Sequence, residues 1–139
     1  MKPRQVFVDA SAWIAIIDRR ESTHALAARL YANLLASQTL LVTTDLVLSE
    51  VYILLRRRVG YEAAQSFLEN VYASSRIEIV YANADLAVEA RQILQQYRDH
   101  DLSLTDAISF AFMKQEKINE AFTLDRHFAV AGYSVLPLT

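Results

Sequence analysis

At 139 residues the chain has room for one hydrophobic core, and an apolar content of 53% excludes a disordered polypeptide. With no cysteine there is no disulfide framework, no thiolate nucleophile and no cysteine-bound metal. A net charge of −2 gives no general attraction for nucleic acid, so a polyanion would have to be met by locally clustered charge.

Two Gly and two Pro imply short connections and much helix. No apolar run approaches the roughly 20 residues needed to span a bilayer. Residues 1–5 lead into a short strand rather than the core of a signal peptide, and the expected compartment is the cytoplasm. Val6-Phe7-Val8 is an apolar run that delivers Asp9 off its end. Such runs read as buried strands of a parallel sheet, whose carboxyl ends form the functional crevice of open α/β folds.

Residues 11–18 read as a short helix with Ser11 as N-cap, and Trp13 as a core residue rather than a stacking platform. Ser22 or Thr23 can cap a second helix to about residue 37, with Leu26, Leu30 and Leu34 on one face. A brief strand over 39–43 follows. The helix over 45–58 has apolar side chains on every side and is expected to be buried, with Glu50 an awkward acid in its middle. Alone, Glu50 also fits a solvent-facing residue or the partner of an arginine. Residues 61–75 form an amphipathic helix on Ala64, Phe67, Leu68 and Val71; 77–81 is a third strand. A helix over 84–97, a polar turn and a helix over 105–115 come next. A fourth strand over 120–124 ends at Asp125, residues 126–132 make a tight connection, and 133–136 form a short last strand.

Strands alternating with helices, without repeats or linkers, specify a single α/β domain over residues 1–139. The expected architecture is a three-layer α/β/α sandwich around a central parallel sheet of four to five strands. Asp9 and Asp125 follow strands directly and would rise on the same sheet edge. Asp106 opens a helix, where an Asp serves as a cap or complements the dipole, and helices of this fold begin at that same edge.

Carboxylates gathered there need compensation, because two unit charges about 4 Å apart repel by roughly 4 kcal/mol at an effective dielectric near 20. Oxygen ligands without Cys or clustered His suit Mg2+ or Mn2+, which polarise phosphoryl oxygens and activate water. Subtracting four acids from the net charge of −2 leaves the rest of the chain at +2, densest at Arg56-Arg57-Arg58 and Arg19-Arg20. Gly-rich nucleotide loops, a Gly-x-Ser-x-Gly elbow and zinc-ligand spacing of His24, His100 and His127 are all absent.

Four blocks in order, Val-Phe-Val-Asp9-Ala-Ser11, Leu48-Ser-Glu50-Val51, Leu102-Ser-Leu-Thr-Asp106-Ala107 and Thr123-Leu-Asp125-Arg-His-Phe128, resemble those of the PIN-domain ribonucleases, in particular VapC-like toxins. The resemblance spans essentially the whole chain. It implies metal-dependent cleavage of RNA, with Asp9, Glu50, Asp106 and Asp125 as catalytic, metal-holding acids and Mg2+ or Mn2+ as cofactor. Ser11 and Thr123 would support them from behind, and His127 and Phe128 would be packing and turn residues. Asp101 is left outside the core site. The resemblance further implies a homodimer and a protein antitoxin; Arg56 to Arg58 would meet RNA phosphates, an acidic antitoxin tail, or only the helix dipole. Competing readings are a non-catalytic RNA- or protein-binding module and a structure-specific DNA nuclease.

Overall fold

A computed structural model describes residues 3–138. The first two residues of the expected lead-in, and the last of the expected 1–139 domain, lie outside the described residues. In chain order the elements are β1 (Gln5–Val8), α1 (Ala10–Ile17), α2 (His24–Ala36), β2 (Leu40–Thr44), α3 (Asp45–Arg58), α4 (Tyr61–Ala73), β3 (Ile77–Val80), α5 (Ala84–Gln96), α6 (Leu104–Glu116), β4 (Glu120–Phe122), α7 (His127–Val130) and β5 (Ser134–Val135).

The five strands form one parallel sheet in the order β3-β2-β1-β4-β5. β1 sits at its centre, pairing Val6 with Leu41 on one side and with Glu120 on the other. Covered on both faces, Val6, Phe7 and Val8 are fully buried, which is why the run is continuously apolar.

From β1 the chain steps outward to β2 and β3, then crosses back over the sheet to β4 and β5. Right-handed crossovers therefore place α1 to α4 on one face and α5 to α7 on the other, giving the three layers. Side chains alternate accordingly. Phe7 faces the second layer, stacking on Phe128 of α7 and meeting Phe112 of α6 at a tilt. On the other face Trp13 of α1 meets Tyr31 of α2 and Phe67 of α4 edge-on. Trp13 is buried, as a core residue should be. The strand order reverses between β1 and β4. Their carboxyl ends splay helices to opposite faces and leave the crevice where ligands bind in such sheets.

Several boundaries differ from expectation for identifiable reasons. Ser11 is not a cap but the second residue of α1; Asp9 holds the N-cap position with extended backbone and no side-chain cap bond. Its carboxylate is thereby left free for other partners. Residues 126–132 contain the helical turn α7 rather than a plain connection, four residues being too few to show a helical period. Gly60 turns α3 into α4 at φ 136, a conformation that disfavours side chains with a Cβ.

The largest departure concerns α3. Its bounds are as expected, but it is not buried all round. Val47, Leu48, Val51 and Leu55 face the core, whereas Ser49, Glu50 and Ile53 are exposed. α3 packs on α1 and α4, and its remaining side opens to solvent. Glu50 is thus an exposed acid at the rim of a cleft, not a buried one.

Candidate active site

The apolar run of β1 ends at Asp9, which is 4% exposed at the central strand's carboxyl end. Its amide extends the ladder to β4 by donating to the Phe122 carbonyl at 3.1 Å. Asp9 Oδ2 accepts hydrogen bonds from Thr123 Oγ1 (2.9 Å) and Ser11 Oγ (3.1 Å). The Leu124 amide donates to Ser11 Oγ and the Asp125 amide to Thr123 Oγ1, both at 2.9 Å. Two hydroxyls thus tie the carboxylate after β1 to the backbone after β4. The turn also orients Asp125, whose Oδ1 accepts the His127 amide at 2.9 Å.

Asp106 is the third residue of α6. Its amide donates to Ser103 Oγ at 3.0 Å, while the Ser103 amide points back at Asp106 Oδ2 across a long 3.5 Å. This reciprocal box starts the helix and holds Asp106 at the crevice. Structural and site membership coincide in this residue.

Asp9, Glu50, Asp106 and Asp125 line one cleft of about 410 Å³, together with Ser11, Ser103, Glu21, Leu54 and Arg58. Within it, Asp106, Asp125 and His127 each offer a ligand atom within 4.8 Å of the others. Asp9 and Glu50 stand around that group rather than inside it. Thr123 is buried beneath Asp9.

The electrostatics record crowding. Loss of hydration and the nearby Asp106 charge push Asp9 up to about 6, against the three hydrogen bonds that it accepts from the Ala10 amide, Thr123 and Ser11. Desolvation and Asp125 raise Asp106, with Ser103 and His127 opposing. Glu50, though exposed as a residue, is raised by partial desolvation of its carboxyl group and by Asp106, while the Thr105 hydroxyl works the other way. Three of the four acids are harder to ionise than ordinary carboxyls. The cleft is short of positive charge.

His127 was read from sequence as a packing and turn residue, and in the structure its ring also brings a nitrogen within 4.8 Å of carboxylate oxygens of Asp106 and Asp125. Its Nδ1 lies 2.8 Å from Asp125 Oδ1, yet out of line for a hydrogen bond, so both buried ring nitrogens lack hydrogen-bond partners among the described residues. The signal was its position two residues after Asp125, which the turn folds back onto that carboxylate. The arginine run also divides: Arg58 lines the cleft, while Arg56 lies over the Tyr61 ring.

Residues 6–132 match the PIN domain. The chain belongs to the PIN-domain family. It is 32% identical over 128 residues to VapC20 of Mycobacterium tuberculosis, a 23S rRNA-specific endonuclease, covering 92% of this chain and 95% of that one. The crystal structure of VapC20, described as a sarcin–ricin loop cleaving toxin, superposes with a TM-score of 0.84 at 31% identity and the same coverage. A toxin–antitoxin complex from Klebsiella pneumoniae shares the PIN fold at 18% identity, with a TM-score of 0.67 over 96% of this chain and 98% of the other.

Proposed function

We propose that this PIN-domain protein is a VapC-like toxin, an endoribonuclease that hydrolyses RNA phosphodiester bonds with a divalent cation, Mg2+ or Mn2+, held by Asp9, Glu50, Asp106 and Asp125. One observation carries the reading: four acids from four separate segments line one cleft at the switch point of the sheet. The relationship to an rRNA-specific endonuclease over nearly the whole length supports RNA as the substrate. It makes the sarcin–ricin loop of 23S rRNA the first RNA to test.

The donor set fits such a cation. It is almost entirely carboxylate oxygen, without a thiolate, and its crowding raises three of the acids above their ordinary range. When bound, the cation supplies positive charge and Lewis acidity toward a phosphoryl oxygen. The chain's own residues do the positioning. Ser11 and Thr123 fix the rotamer of Asp9, the His127 amide turns Asp125 inward, and the box at Ser103 aims Asp106. Because these side chains stand on a strand end, a helix start and a braced turn, little reorganisation is needed when substrate arrives.

A protein antitoxin, supported by the toxin relative and by toxin–antitoxin complexes of the same fold, completes the proposal, together with a homodimer and a cytoplasmic location. Among the described residues no helix is long and apolar enough to cross a membrane.

Purified protein incubated with a sarcin–ricin loop RNA and Mg2+ or Mn2+ should cleave it and stop on chelation. Asp106→Asn and Asp9→Asn should each lower the rate on the order of 10²–10³-fold, the scale of removing one electrostatic group from a site. Variants that cleave like the parent would remove these acids from the chemistry. Metal-indifferent RNA binding without cleavage would point to a binding module, and preferential cutting of flapped DNA to a DNA nuclease.

A further inference from the structure

The cleft contains one feature that the acid cluster does not explain. Glu50, Leu54 and Arg58 repeat every four residues along α3 and all line it. Arg58 is the one cation among the described residues lining the cleft, facing five acids: Asp9, Glu21, Glu50, Asp106 and Asp125. Its Nη1 donates to Glu21 Oε1 at 3.0 Å. The backbone beneath it is fixed, because Arg20 Nη2 donates to the Arg58 carbonyl at 2.6 Å while Arg20 forks onto Asp18. The Arg58 side chain nonetheless remains 45% exposed. Arg56, by contrast, is engaged away from the cleft by Tyr61 and by the Tyr52 hydroxyl.

A polyanion entering a cleft of carboxylates is repelled at nearly every point. Arg58 is the exception, and eight residues of helix set it about 12 Å from Glu50. That separation suits a phosphate other than the one at the acid cluster. A guanidinium takes phosphate through two parallel hydrogen bonds. A partly exposed ion pair such as Arg58–Glu21 contributes little to stability, so exchanging its carboxylate for a phosphate costs the fold little.

We propose that Arg58 binds an RNA phosphate flanking the cleaved bond, and that Glu21 is a positioning residue that holds the guanidinium at the cleft wall until substrate takes it. This rests on the ribonuclease reading above.

The test measures binding of a fluorescent 15-residue oligouridine by anisotropy, with Mg2+ present, in an Asp106→Asn background that spares the RNA. Phosphate contacts carry no sequence information, so a uniform RNA suffices. Arg58→Ala should weaken binding on the order of tenfold and flatten the slope of log affinity against log salt by about 0.7. Glu21→Gln should tighten binding by about threefold, and should gain nothing when Arg58 is already alanine. Both substitutions break the same ion pair, so a purely structural role would move both variants in the same direction. Unchanged affinity and slope in Arg58→Ala overturns the assignment while the ribonuclease reading stands. So does equal weakening in both variants, or an effect of Glu21→Gln that persists without Arg58. If the background protein binds no RNA and the parent cleaves none, the ribonuclease reading falls and takes this one with it.

Discussion

The two ends of the β1–β4 pair treat charge in opposite ways. At the amino end, Glu120 of β4 meets Arg4, just ahead of β1, through two hydrogen bonds of 2.8 Å. That hydrogen bonding, chiefly, holds the Glu120 carboxyl below its ordinary range. At the carboxyl end, Asp9 accepts only hydroxyl and amide hydrogen bonds, faces Asp106, and is pushed up to about 6. The same two strands thus end in a neutralised pair on one side and in unpaired acids on the other. Paired charge belongs to the part of the fold that only has to persist. Charge left unpaired belongs to the part that we propose takes up a cation and a phosphate.

After loss of the acids themselves, breaking the hydroxyl support at the active end should have the largest effect. Thr123→Val removes one donor to Asp9 Oδ2 and the acceptor for the Asp125 amide, and should lower cleavage about 10–100-fold, read in single-turnover assays on the same RNA. An unchanged rate would mean that Asp9 and Asp125 need no such brace.

The raised pKa of Asp9 makes a second prediction. The folded protein binds this proton more tightly than the unfolded chain does. The resulting stabilisation is fully present below 3.8 and is lost as pH rises through about 6. A displacement of that size corresponds to about 3 kcal/mol. Without divalent cations, Asp9→Asn should therefore be more stable than the parent at pH 7, by about 2 kcal/mol once some hydrogen bonding is lost. The gap should close toward pH 4. Added Mg2+ should narrow it at pH 7 by stabilising the parent. Urea unfolding in chelator, across pH, would measure both; a destabilised Asp9→Asn at pH 7 would contradict the crowding argument.

The smallest effect is expected at the other end. Arg4→Ala breaks a partly exposed pair and should cost less than about 1 kcal/mol, with cleavage unchanged. A loss of activity there would show that the two ends are coupled.

What could be read in the sequence follows the same division. The apolar run into Asp9 was legible because a central strand is buried on both faces, and the limits of α3 were legible from its apolar density. The burial of Glu50 was misjudged because composition alone does not reveal which side of a helix its neighbours leave open. Strand order was equally hidden, since it depends on the chain crossing the sheet between β3 and β4. The approach of His127 to Asp106 and Asp125 came from a four-residue helical turn, too short to leave a periodic signature. The four acids were identified as a set through the family resemblance. The hydroxyl pair beneath Asp9 was anticipated as a role, but its bonds to the Leu124 and Asp125 amides require coordinates.

The bond between Asp9 and Thr123 joins positions 114 residues apart. A growing chain therefore presents Asp9 early, with only Ala10 and Ser11 beside it, and waits for β4 before Thr123 completes the brace. Contacts so distant in sequence are slow to form. Until that late closure the acids of the earlier segments have no common cleft. The complete acid set thus exists only once the chain has been made through β4 and the turn that carries Asp125.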